Sequence, residues 1–141
     1  MIAGQHKTFL VVDDIPLMRA MLTKYLKTMG TKILREEFGR GNLEVIEASS
    51  GKAAFDLLRV REVDLIFLDL MMPDMDGLTF LALKREDPQL CDIPVVVCSA
   101  LEEKDTVNRA SALGARGFMG KPFTQKSVEE KFREAFSILQ A

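Results

Sequence analysis

Three aspartates, a serine and a lysine stand where this chain leaves its apolar runs. Asp13 and Asp14 follow Phe9-Leu10-Val11-Val12, and Asp69 follows Asp64 to Leu68. Ser99 follows Pro94-Val95-Val96-Val97-Cys98, and Lys121 follows Gly117-Phe118-Met119-Gly120. Singly, each has an ordinary reading: an Asp pair caps a helix or lines a polar turn, and a lysine is solvated. Together at the ends of buried runs, they would bring three carboxylates, a hydroxyl and an ammonium to one edge. Crowded carboxylates repel and hold their protons more tightly unless a cation sits among them. Mg²⁺ relieves that repulsion and takes a few carboxylates alongside waters and phosphate oxygens. Lys121 is suited to pair with Asp69 and then with a phosphoryl oxygen, and Ser99 to donate to the same oxygen. The Lys121-Pro122 bond is a candidate for the cis form, which X-Pro bonds reach at modest cost.

The elements that must position these groups show in the hydrophobic pattern. Short runs at Phe9 to Val12, Leu43 to Ile46, Asp64 to Leu68, Pro94 to Cys98 and, more weakly, Gly117 to Gly120 read as strands. Longer stretches between them carry helical spacing. Met18, Met21, Leu22, Tyr25, Leu26 and Met29 mark one face, and Ala54, Leu57 and Leu58 a second. Leu78, Leu81 and Ala82, then Val107, Ala110 and Leu113, then Val128, Phe132, Phe136 and Leu139 mark three more. Strict alternation of strand and helix predicts a doubly wound parallel sheet covered on both faces. In such a sheet, ligands bind beyond the carboxyl ends of the strands, where the five reactive residues fall. Pro16, Ser50-Gly51, Asp76-Gly77 and Thr124 supply helix starts.

Composition narrows the class. A chain of 141 residues with 48% hydrophobic and 28% charged residues fits one soluble domain. Its formal net charge is −2, with Lys and Arg scattered among acids, so no direct contact with nucleic acid is expected. No apolar run approaches the roughly 20 residues needed to cross a bilayer, and Met1 to Lys7 lacks the order of a signal peptide. Membrane insertion is not expected, and a cytoplasmic location is the default. Cys91 and Cys98 make neither a disulfide framework nor a four-ligand metal site, and Cys98 reads as a buried structural thiol. His6 reads as part of an N-terminal tail.

The segment Thr31 to Asn42 is longer than such a connection needs. Ile33, Leu34 and Phe38 continue the helical period from Met29, so either the first helix runs on or a second short helix follows Gly30. One reading is a solvent-covered extension. The sharper one is a surface for a partner or a homodimer, on the expectation that these side chains lie beyond the sheet with little to cover them.

Four motifs in order resemble the receiver domain of bacterial two-component response regulators, of the chemotaxis-regulator kind. They are Val11-Val12-Asp13-Asp14, Asp69-Leu70-Met71-Met72-Pro73-Asp74-Met75-Asp76-Gly77, Val97-Cys98-Ser99-Ala100 and Gly114-Ala115-Arg116-Gly117-Phe118-Met119-Gly120-Lys121-Pro122-Phe123. Glu47-Ala48-Ser49 and Gly51 add smaller matches. The resemblance implies a flavodoxin-like (βα)5 fold, sheet order 2-1-3-4-5, forming a single receiver domain over 1–141 with an atypical insertion at about 31–42. It implies that Asp69 takes a phosphoryl group from a sensor histidine kinase or phosphotransfer protein. Asp14, Asp69 and the backbone carbonyl of Met71 would ligate Mg²⁺, with Asp13 acting mainly through metal-bound water. Lys121 and Ser99 would contact the phosphoryl group, and Ser99 with Phe118 would form a switch. That switch would act on a downstream protein target through the last two helices and the strand between them. Such a domain catalyses its own phosphoryl transfer and dephosphorylation and is not an enzyme for external substrates. Met71 and Leu101 occupy positions that in this family tend to modulate water attack on the acyl phosphate.

Rival functions leave different traces. A degenerate, silent module usually loses an acid or the lysine, and this chain keeps them all. An aspartyl phosphohydrolase often carries a second Asp two residues after the first, where this chain has Met71. A flavin-binding relative would want a Ser-, Thr- or Gly-rich phosphate loop after the first strand, where Asp13-Asp14 would repel it.

Overall fold

The computed structural model describes residues 6–39, 41–100 and 104–140. Five strands alternate with five helices: β1 His6–Val12, α1 Pro16–Phe38, β2 Asn42–Ala48, α2 Gly51–Val60, β3 Leu65–Asp69, α3 Gly77–Glu86, β4 Val95–Ser99, α4 Lys104–Ala112, β5 Gly117–Gly120 and α5 Gln125–Gln140. All pairings are parallel, as the alternation predicts, and the order β2-β1-β3-β4-β5 is the flavodoxin-like one that the resemblance implies.

The sheet divides the core in two. Phe9, Val11, Leu65, Phe67, Val96, Cys98 and Met119 pack with α1 and α5 on one face. Leu10, Val12, Ile66, Leu68, Val95 and Val97 pack with α2, α3 and α4 on the other. β3 and β4 are buried at every residue, as strands covered on both faces must be. β2 lies at the sheet edge and alternates instead. Burial holds the Cys98 thiol protonated, its pKa pushed up to about 12. His6 opens β1 opposite Asn42, so it belongs to a strand and not to a tail.

Helix starts follow the local chemistry. Pro16 occupies the first turn of α1, where no N–H is needed. The Ser50 and Asp76 side chains accept from Ala53 N–H and Thr79 N–H. At α5, Thr124 N–H donates to Ser127 Oγ while Ser127 N–H donates to Thr124 Oγ1.

α1 settles both questions about the long segment. It is one continuous helix of 23 residues, with no break at Gly30, and it ends at Gly39 in the left-handed region (φ 78°), whose N–H donates to the Arg35 carbonyl. Gly30 is a crossing point: a Cβ there would collide with Leu43 Cδ2 and lie 3.2 Å from Phe132 Cε2. The expectation that Ile33 and Leu34 lack cover is corrected, because both are buried with Leu43, Phe132 and Ala135. Bareness of those two residues therefore gives no argument for a partner or homodimer surface. The Phe38 side chain lies outside the described residues. Arg133 of α5 pairs with Glu36 at 3.5 Å near the end of α1.

Candidate functional site

The sheet order puts the ends of β1 and β3 side by side, and β4 and β5 beyond β3. Carboxylate oxygens of Asp13, Asp14 and Asp69 accordingly fall within 4.8 Å of one another. Asp13 and Asp69 are buried and Asp14 is half-buried. Lys121, one residue past β5, reaches back to them. Its Nζ lies 2.7 Å from Asp13 Oδ2 and 3.4 Å from Asp69 Oδ1. The Lys121-Pro122 peptide bond is cis. Burial alone would lower the lysine's pKa, but the Asp13 hydrogen bond and the two carboxylate charges outweigh it and raise the value.

Each acid is held differently. Asp13 Oδ1 accepts from Ile15 N–H at 2.9 Å, which shapes the turn into α1. Asp69 Oδ1 accepts from Met71 N–H at 3.2 Å. Burial pushes the Asp69 pKa up to about 6, with Asp13 adding to the rise, while Lys121 and the Met71 N–H act against it. Asp14 Oδ1 is buried and has no hydrogen-bond partner. An orphaned carboxylate oxygen beside two other acids is the donor set a hard divalent cation completes.

Loop 70–76 is tied down at both ends. Gly77 N–H donates to the Leu70 carbonyl at 2.8 Å. A Cβ on Gly77 would stand 2.6 Å from Leu70 Cα and 2.9 Å from the Asp69 carbonyl oxygen, so only glycine fits. Asp74 reaches the start of α2, accepting from Lys52 N–H at 3.3 Å. The Met71 side chain is exposed.

Ser99 is fully buried at the end of β4, one residue past Cys98, which lies opposite Asp69 in the ladder. Phe118 is half-buried against the α2-α3-α4 side of the core and lies opposite Val97. The structure thus brings Asp13, Asp14, Asp69 and Lys121 into one cluster, with Ser99 on the neighbouring strand end and Phe118 back from the edge. Leu101 lies outside the described residues.

Two contributors were invisible in the sequence. Arg19 donates from Nη1 to the Asp13 carbonyl at 2.8 Å and from Nε to Glu47 Oε1 at 3.0 Å. Asp74 is one of several acids in its loop, and no spacing rule singles out the one that meets α2. Lys84 is buried on α3, donates to the Cys91 carbonyl at 3.3 Å, and burial lowers its pKa. It lies outside the acidic cluster. No helix among the described residues is long and apolar enough to cross a membrane.

Comparison with known proteins agrees with this geometry. The chain is 28% identical over 138 residues to chemotaxis protein CheY-3 of Vibrio cholerae, covering 98% of each. It is 29% identical to chemotaxis protein CheY of Pseudomonas aeruginosa, over 90% of this chain and 94% of that one. Among solved structures, Vibrio cholerae CheY4 matches its fold with a TM-score of 0.79 at 24% identity, over 92% of this chain and 98% of that one. The receiver domain of a DNA-binding response regulator from Colwellia psychrerythraea matches with a TM-score of 0.76 at 27% identity, over 93% and 98%. The model of the response regulator receiver domain matches residues 9–133, a span that takes in all three acids, Ser99 and Lys121. The chain belongs to the response regulator receiver domain family of two-component signalling.

Proposed function

We propose that this chain is a single phosphoacceptor domain in which Asp69 takes a phosphoryl group from the phosphohistidine of a sensor kinase or phosphotransfer protein. The observation that carries the reading is the Lys121 ammonium at 2.7 and 3.4 Å from two buried carboxylates at adjoining strand ends. That arrangement suits holding negative charge where a dianionic group arrives.

Above pH about 6 Asp69 is mostly ionised and ready as a nucleophile. With Oδ1 facing Met71 N–H and Lys121, Oδ2 is the oxygen we assign to attack. A phosphorus–oxygen bond forms, the phosphorus–nitrogen bond to the donor imidazole breaks, and that nitrogen leaves with the bonding pair. Asp14, Asp69 and the Met71 carbonyl would hold Mg²⁺, with Asp13 reaching it mainly through water. Mg²⁺, when bound, neutralises charge between the carboxylates and the phosphoryl oxygens. Lys121 turns from Asp13 toward the new phosphoryl oxygens, and Ser99 donates to another.

Phosphorylation adds about −1.5 to −2 of charge at the strand edge. Ser99 moving toward it leaves room for the Phe118 ring, and the α4-β5-α5 surface carries the change to a protein target. Phe118 has no hydroxyl, so its share of the switch is packing alone. Receiver domains are generally not enzymes in the usual sense; here the only turnover we assign is loss of the chain's own phosphoryl group. The location we assign is cytoplasmic.

Incubation with a small phosphodonor and Mg²⁺, followed by intact mass, tests the reading. One phosphoryl adduct that is absent from Asp69→Ala is the expected result. Steady phosphate release from a generic ester would instead indicate a hydrolase, and a folded protein without adduct would indicate a silent module.

A further inference from the structure

We infer that Arg19 is a positioning residue for the cation site, holding the Asp13-Asp14 turn in the shape that presents Asp14. The inference rests on the Mg²⁺-assisted reading above. Arg19 sits in the first turn of α1, and its guanidinium ties that helix to the ends of β1 and β2. Nη1 donates to the Asp13 carbonyl at 2.8 Å, at the end of β1. Nε donates to Glu47 Oε1 at 3.0 Å, near the end of β2. Its own N–H donates to the Ile15 carbonyl at 3.0 Å.

The same turn is pinned by Asp13 N–H to the Ala48 carbonyl at 3.2 Å and by Ile15 N–H to Asp13 Oδ1 at 2.9 Å. Asp14 is the member of the cluster that nothing in the protein steadies at its buried oxygen Oδ1. Its aim is therefore set by the backbone of the turn. Arg19 is the side chain that fixes that backbone against β2. Ligand geometry held by such outer contacts commonly governs metal affinity by 10- to 100-fold.

An exposed ion pair would give a blander account, since such pairs contribute little. Arg19 is mostly covered, and one of its two bonds goes to a carbonyl, which charge pairing does not require. The two accounts also predict opposite signs. A positive charge near three carboxylates opposes cation binding, so deleting it for electrostatic reasons alone would tighten Mg²⁺. Deleting a positioning contact loosens it. Lysine keeps the charge but lacks the planar fork that serves two acceptors at once.

Calorimetric titration of Mg²⁺ into wild type, Arg19→Met, Arg19→Lys and Glu47→Gln distinguishes them. Both Arg19 variants should weaken Mg²⁺ by roughly tenfold, and Glu47→Gln by a smaller factor. In metal-free protein, the Asp13 amide should exchange its hydrogen faster in the Arg19 variants, a change independent of any metal. Should Arg19→Met fail to fold, Arg19→Lys carries the comparison, because it keeps the charge and loses only the fork that serves two acceptors. Wild-type binding matched or exceeded by the Arg19 variants overturns this inference alone. A wild type that binds no Mg²⁺ overturns the metal-assisted reading and this inference with it.

Discussion

The Lys121 ammonium lies nearer to Asp13 than to Asp69, at 2.7 Å against 3.4 Å. Without a cation, the lysine serves as counter-ion to the acid that is not the proposed nucleophile. It offsets two buried charges at once, and removing it leaves both uncompensated.

Lys121→Met should therefore destabilise the metal-free protein by about 3 kcal/mol at pH 7.5, the range for breaking a buried ion pair. Lys121 acts to lower the Asp69 pKa, so its loss raises that pKa further above about 6. At pH 5 Asp69 then takes a proton and the penalty shrinks. Urea unfolding at the two pH values measures the difference, and equal penalties would disprove the shared-counter-ion account.

Asp69 gives the metal-free protein a definite pH signature. Its folded pKa of about 6 exceeds the ordinary 3.8, so the folded state binds this proton more tightly. The associated stability is full below pH 3.8 and is lost as pH rises through about 6. The loss is about 3 kcal/mol, at about 1.4 kcal/mol per pH unit. Asp69→Asn lacks this titration, so it should gain on wild type by up to that amount between pH 3.5 and pH 7.5. Parallel stability curves for the two proteins would show that burial does not strain this carboxylate.

Gly77 is where the chain after Asp69 comes closest to itself. Gly77→Ala should destabilise by about 1–3 kcal/mol, as overpacked sites do, because the nearest obstacle includes backbone at Leu70 Cα. Displacing Leu70 should disturb the loop that carries Met71, so phosphorylation by a small donor should slow as well. A variant with wild-type stability and wild-type adduct formation would contradict the close-approach argument.

Gly30→Ala sets two effects against each other. Alanine favours a helix interior by about 1 kcal/mol over glycine, but its Cβ would collide with Leu43 Cδ2. The substitution should destabilise wild type and stabilise a Leu43→Ala background. A double-mutant cycle by thermal unfolding reads the sign change directly. Leu34→Ala should cost about 2–5 kcal/mol as a core truncation; a negligible loss would return the far end of α1 to the surface.

Much of this architecture was legible because parallel strands buried on both faces leave uninterrupted apolar runs, and the reactive residues fall where those runs stop. Asp13, Asp14, Asp69 and Lys121 could be placed at one edge from that rule alone. In the long segment, where one of two expectations was that the first helix runs on, only the exposure of Ile33 and Leu34 was misjudged, for a specific reason. Ile33 and Leu34 keep the helical period, but the buried cluster they join draws on Leu43 of β2 and on Phe132 and Ala135 of α5, and no local pattern reports partners so far along the chain. Gly30 invited a break because glycine weakens helices in isolation, whereas its role is to let two elements touch. Arg19 and Asp74 went unseen because a hydrogen bond to one particular carbonyl or amide depends on the turn's final shape.

The uninterrupted α1 also limits how relatives of this chain can differ in length. One residue added inside the helix would turn everything beyond it by about 100°. Ile33 and Leu34 would swing out of the buried cluster they share with α5, and Glu36 would lose Arg133. Variation in the length of this helix is therefore confined to insertions that restore its phase.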